Sequence, residues 1–162
     1  MLENCNGIKE HWCGVSKILD GWLQQRQKLI VEFCTISGVY DSDLVYERDT
    51  AKNLKHFCEI MVDYISAGHF EVYDHLIQEA EALDDSNALE LAKVIYPKVS
   101  KTTDIALKFN DKFDSIINKD DITPDLAHEL SHLGENLVTR FELEDSLIED
   151  LHYSHKELIV NA

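Results

Sequence analysis

Two Glu-x-x-His pairs stand in the C-terminal part of the chain, Glu129–His132 and Glu149–His152. In di-iron helical bundles such pairs come from two different helices, and each of two further helices adds a lone glutamate. The i, i+3 spacing aims a carboxylate and an imidazole at one metal. Here both pairs fall in one helical stretch, twenty residues apart, or about 30 Å along the axis. No dinuclear site spans that distance, and Glu129 and His132 lie off the apolar stripe of their helix, toward solvent. A metal-dependent helical-bundle enzyme therefore fails on geometry, and no metal ligand is assigned. Nucleophilic chemistry finds no better footing. There is no Gly-x-Ser-x-Gly, no glycine-rich phosphate loop and no Cys/His signature. The cysteines Cys5, Cys13, Cys34 and Cys58 form no Cys-x-x-Cys pair. They read as reduced thiols, with Cys34 and Cys58 on apolar helix faces. The chain reads as non-catalytic, without a cofactor.

More telling are ionisable residues placed where a helix should be apolar. With the last long helix set out at 100° per residue around Leu130 and Leu137, Glu144 falls inside the apolar face and Arg140 at its edge. Arg26 lies inside the apolar face of the first helix. A lone buried charge costs several kcal/mol, so these groups should be paired, as a cluster of Arg26, Arg140 and Glu144 with Asp145 nearby. Such a cluster either fixes helix register or lines a groove for a partner. Asp63 is the opposite case. It points away from the apolar face of its helix, flanked by Glu59 and Ser66, and Gly68-His69-Phe70 follows at a break. An exposed carboxylate beside an exposed ring makes a contact patch, a charge for an arginine and a ring for a pocket. A merely solvated helix face is the plainer reading.

These residues need long helices to hold them. The first segment, about residues 6–37, carries the stripe Val15, Ile18/Leu19, Trp22, Leu29/Ile30, Phe33 and Ile36, and Gly38 is expected to close it. Asp41-Ser42-Asp43 offers caps for a second helix, with Leu54, Phe57/Cys58, Met61/Val62 and Ile65 inward. Ser66-Ala67-Gly68 is expected to break it, and a third helix follows through Phe70, Tyr73, Leu76/Ile77 and Ala80. The fourth covers about residues 87–117 with Pro97 inside, which predicts two pieces or one bent helix. Thr123-Pro124 reads as N-cap and first residue of the last helix, which fades near His155. The fold class is all-α, an antiparallel up-and-down helical bundle with one bent or split helix. It forms a single domain over residues 1–162, the last roughly ten residues being a mobile tail.

Composition agrees. Six glycines and two prolines in 162 residues are too few for a fold that turns at short intervals. Thirty-one acidic against fifteen basic side chains give a net charge of -16. That surface repels nucleic acid and anionic lipid and favours a basic protein partner. Glu3, Lys9 and Glu10 precede any apolar run, and no window suits a membrane span, so a cytoplasmic protein is expected.

Four segments carry a family resemblance. The run Phe57–Phe70 (Phe-Cys-Glu-Ile-Met-Val-Asp-Tyr-Ile-Ser-Ala-Gly-His-Phe) is the most distinctive. With it stand Asp20-Gly21-Trp22-Leu23 followed by Arg26 and Leu29, then Leu91–Pro97, then Leu130–Glu135 leading into Arg140–Ile148. In order and spacing they resemble the Rsd/AlgQ family of anti-sigma proteins, over about residues 8–150. The resemblance implies a helical bundle that binds the C-terminal helix-turn-helix region of the housekeeping sigma factor. It implies one-to-one binding by a monomer that blocks both promoter contact and the seat on core RNA polymerase. By the same resemblance Asp63 meets an arginine of the sigma factor, with Ser66, His69 and Phe70 beside it, and Trp22, Arg26, Arg140 and Glu144 contribute to a groove. A binding module for another partner, such as a sugar-system phosphocarrier, is the alternative. It would show weak salt dependence.

Overall fold

The computed structural model describes residues 2–40, 50–116, 122 and 124–161. Four long helical rods make up the bundle. Helix α1 spans Leu2–Tyr40. Helix α2, Thr50–Ala67, runs through a π turn, Gly68–Val72, directly into α3, Tyr73–Ala82. Helix α4 spans Ser86–Phe113 and α5 spans Leu126–Leu151. A short 3-10 turn, Tyr153–His155, and the five-residue α6, Lys156–Val160, follow. No strand occurs among the described residues.

Cross-contacts give the directions. Trp22 meets Tyr64 and Phe33 meets Phe57, so α1 and α2 run antiparallel. Lys112 meets Glu129 and Arg140 meets Thr103, so α4 and α5 do too. Arg26 reaches Glu144 while Trp12 reaches His152, which sets α5 antiparallel to α1. The arrangement is the expected up-and-down bundle. Its core is the sum of the apolar stripes: Leu19 and Leu29 from α1, Leu54, Phe57 and Met61 from α2, Leu76 from α3, Phe109 and Phe113 from α4, Leu126 and Leu133 from α5. Full burial of each such side chain contributes about 1.5–3 kcal/mol.

Several local expectations change. Gly38 stays inside α1 without a positive φ, so it is no C-terminal stop. Ile30 turns outward while Leu29 is fully buried, and Cys34 is exposed where Cys58 is buried. Burial pushes the Cys58 thiol up to about 12, helped by Asp114 and Glu59. Of the two outcomes expected at Pro97 the split does not occur, since Pro97 sits within a continuous α4, whose N-terminus is capped by the Asp85 carboxylate accepting from Ala88 N–H at 3.0 Å. Asp41, Ser42, Asp43 and Thr123 lie outside the described residues. Pro124 precedes α5 in a turn, and the helix starts at Leu126.

The expected break at Ser66-Ala67-Gly68 is a change of register inside one rod. The Tyr73 N–H donates to the Gly68 carbonyl, five residues back, so one extra residue enters the turn. Tyr64 and Tyr73, nine residues apart, would lie about 180° apart on a regular α-helix. Absorbing one residue reduces that to about 80°, and both hydroxyls reach one carboxylate. The π turn also throws Phe70 out of the apolar stripe to 76% exposure.

Candidate functional site

Glu144 projects from α5 into the bundle with no exposure. Four donors surround it. Arg140 Nε donates to Oε1 at 2.8 Å from one helical turn back. Tyr73 donates its hydroxyl to the same oxygen at 2.6 Å. On Oε2, Arg26 Nη2 donates at 3.1 Å and Tyr64 donates its hydroxyl. The tyrosines also accept, Tyr64 from Arg26 Nε at 2.9 Å and Tyr73 from Arg140 Nη2 at 3.1 Å. Arg140 Nη1 is finished by the hydroxyls of Thr102 and Thr103 on α4, at 3.1 and 2.7 Å. Arg26 Nη1 leads outward to the exposed Asp145, and its guanidinium lies 4.9 Å from the Phe141 ring centroid.

Two guanidinium and two carboxylate groups make the cluster neutral, and buried ions persist only when paired and fully hydrogen-bonded. Burial works against the Arg26 charge, yet Tyr64, Asp145 and Glu144 hold its pKa above the ordinary value. Burial and the Glu144 charge raise both phenols, so Tyr64 and Tyr73 remain protonated donors. The expected cluster of Arg26, Arg140, Glu144 and Asp145 is thus present. Tyr64, Tyr73, Thr102 and Thr103 were missed. Their polar atoms could have been sought as the partners the charges need, but no local spacing singles them out.

Trp22 is almost wholly buried beside this cluster. Its Nε1–H donates to the Tyr64 carbonyl at 3.0 Å and its ring stacks on Tyr64 with centroids 4.8 Å apart. Trp22, Arg140 and Glu144 therefore lie inside the bundle, and Arg26 is mostly covered. The other expected residues lie outside. Asp63, His69 and Phe70 are exposed and Ser66 is half-buried. The two groups adjoin, because a β-carbon on Gly68 would come within 2.8 Å of the Trp22 ring. His69 Nδ1 lies 3.0 Å from the Tyr96 hydroxyl on α4, which fixes the base of the Phe70 projection.

The two Glu-x-x-His pairs come apart. Glu129 takes Lys112 at 2.9 Å while His132 is exposed. Glu149 is exposed while His152 is buried, and its Nδ1 meets Glu79 of α3 at 2.8 Å. No group of three or more His, Cys, Asp or Glu among the described residues is arranged to hold a metal ion. The other oxygen of buried Glu79 meets His155 Nδ1 at 2.9 Å, and His155 Nε2 meets Asp85 at 2.9 Å. Trp12 stacks on His152 and Ser16 bonds its Nε2. This second cluster joins the start of the C-terminal segment to the bundle. It anchors residues 152–155 to α1 and α3, and Ile159 is buried beyond it.

A pH dependence follows. Burial opposes the charge on His155, but Glu79 and Asp85 raise its pKa above 6.5 overall. A raised histidine adds stability that is complete below its unfolded pKa and disappears as pH climbs through the folded value. The Asp85 carboxyl is depressed, first by the Ala88 N–H and then by His155, so its contribution disappears in acid. Thermal melts should therefore show wild type losing stability as pH rises above about 6.5. His155→Gln should flatten that limb and leave the acid limb. An unchanged alkaline limb in the variant would refute the assignment.

The fold and the interior define the class, an acidic all-helical bundle built round a buried ion-pair network. Residues 1–152 match the family described as regulator of RNA polymerase sigma(70) subunit, Rsd/AlgQ. The chain belongs to that Rsd/AlgQ family. It is 34% identical over 149 residues to the regulator of sigma D of Yersinia pseudotuberculosis serotype O:1b (strain IP 31758), covering 92% of this chain and 88% of that protein. The regulator of sigma D of Yersinia enterocolitica serotype O:8 / biotype 1B is 33% identical, over 92% of this chain and 89% of its own. That of Enterobacter sp. (strain 638) is 34% identical, over 91% and 88%. No helix of the described residues is long and apolar enough to cross a membrane.

Proposed function

We propose that this protein is a non-catalytic, cytoplasmic anti-sigma factor. It binds the C-terminal, promoter-recognition region of the housekeeping sigma factor one-to-one, and so keeps it from core RNA polymerase and promoter DNA. The observation that carries this reading is the outer face of α2 and the π turn. There Asp63 is exposed and Phe70 stands 76% exposed, with Ser66 between them. A helix-turn-helix that reads DNA is basic. A net charge of -16 attracts it over distance, and a carboxylate with a projecting ring can pair an arginine and fill an apolar pocket. Trp22, Arg140 and Glu144 support that face from beneath, and Arg26 joins them to the surface through Asp145.

Calorimetry with the isolated C-terminal region of the cognate sigma factor tests the reading. One-to-one binding should weaken steeply with salt. Asp63→Ala and Phe70→Ala should each lose about tenfold in affinity with stability changed by less than about 0.5 kcal/mol. No binding at any salt would overturn the reading. Salt-insensitive binding to a neutral or acidic partner would favour the phosphocarrier alternative.

A further inference from the structure

The outer face does not end at Phe70. Because α2, the π turn and α3 form one rod, it continues onto α3, where a cleft of about 680 Å³ opens between α3 and α4. Its floor is apolar: Ile77 from α3, with Leu89, Ala92 and Pro97 from α4. Its rim is acidic. Asp74 and Glu81, seven residues apart, stand on the same face of α3, and Glu90 stands on α4. The single cation of the lining, Lys93, is held by Glu90 at 2.7 Å. Nothing in the lining neutralises Asp74 or Glu81. Tyr96 closes the end of the cleft nearest Phe70, through its bond to His69. The cleft thus adjoins the Phe70 end of the contact face, while Asp63 stands at the α1/α2 seam with Gln25, Lys28 and Ile60. From Asp63 to Glu81 is about 27 Å of helix, the length of five turns.

We propose that the α3/α4 cleft is a second seat for the sigma factor, taking a basic amphipathic helix with its apolar side on Ile77 and Leu89 and its cations against Asp74 and Glu81. The inference rests on the anti-sigma reading and extends it. A helix-turn-helix partner has more than one basic helix to place, and an apolar floor with an uncompensated acidic rim has the complementary pattern. The Asp63–Phe70 face would take one element of the partner and the cleft another, with the exposed Phe70 ring between them.

The test uses the full chain and the isolated C-terminal region of the sigma factor. Asp74→Lys/Glu81→Lys changes two exposed side chains, so folding should be retained. It should lose at least about tenfold in affinity and show a shallower salt dependence. Methyl resonances of Ile77, Leu89 and Ala92 should shift when the partner is added to wild type. If the charge reversal binds as wild type does, or the cleft methyls stay unshifted while Asp63→Ala still weakens binding, the cleft is overturned and the anti-sigma reading stands. If wild type does not bind, the anti-sigma reading falls and the second seat falls with it.

Discussion

Replacing Glu144 by glutamine should destabilise the protein by about 3–5 kcal/mol, the cost of breaking a buried ion pair from one side. The reason lies in the geometry of its four donors. The carboxylate takes Arg140 and Tyr73 on one oxygen and Arg26 and Tyr64 on the other, with no exposure to water. An amide presents one acceptor and two donors, so one side of the site would face donor against donor. Arg140 would then lose its carboxylate altogether, and Arg26 would keep only Asp145, whose side chain is 61% exposed. A domain of this size has about 5–15 kcal/mol in total, so urea unfolding should show a midpoint shifted by a large fraction with an unchanged slope. Asp145→Asn is the control. Its pair reaches solvent, and its loss should cost less than about 1 kcal/mol. A Glu144→Gln variant as stable as that control would mean that the cluster is not what holds the helices together.

Gly68→Ala should be costly for a different reason. A β-carbon there would lie 2.8 Å from one Trp22 ring atom and 3.3 Å from another, and from the Tyr73 hydroxyl. The indole cannot step aside, because it is stacked on Tyr64 and bonded to the Tyr64 carbonyl. Over-packing of this kind costs about 1–3 kcal/mol. The position adds a second effect. Gly68 opens the π turn that carries His69 and Phe70, so the backbone shift that relieves the clash moves the proposed contact face. Stability and sigma-factor affinity should fall together, whereas Phe70→Ala should lower affinity alone. A Gly68→Ala protein that keeps both would show that the turn has room the packing does not reveal.

The periodic stripes made the bundle legible. In α5, Leu126, Leu130, Leu133 and Leu137 repeat at helical spacing, and all four are buried. Arg26, Arg140 and Glu144 were legible for a related reason, since a charge on an apolar stripe implies a partner inside. Their hydroxyl partners were not. Tyr64 and Tyr73 share a face only because of the π turn, and Ser66-Ala67-Gly68 reads locally as a helix break. The Glu79 cluster was hidden by distance. Its histidines lie more than seventy residues away in sequence, and the spacing of Glu149 and His152 suggested a metal pair that the packing divides. Asp63 could be placed outward from the pattern, whereas Phe70 fell on the stripe of the third helix and faces outward because of the π turn; the binding role proposed for both rests on family resemblance.

The Glu144 carboxylate also bears on how the molecule breathes. Arg26 brings α1 to it, Tyr64 brings α2, Tyr73 brings α3, and Arg140 links it to α4 through two threonines. Detaching any one rod strips a ligand from a charge the others still enclose, so partial opening is penalised almost as heavily as complete opening. Amide protons near this knot are expected to exchange with solvent only when the whole bundle comes apart.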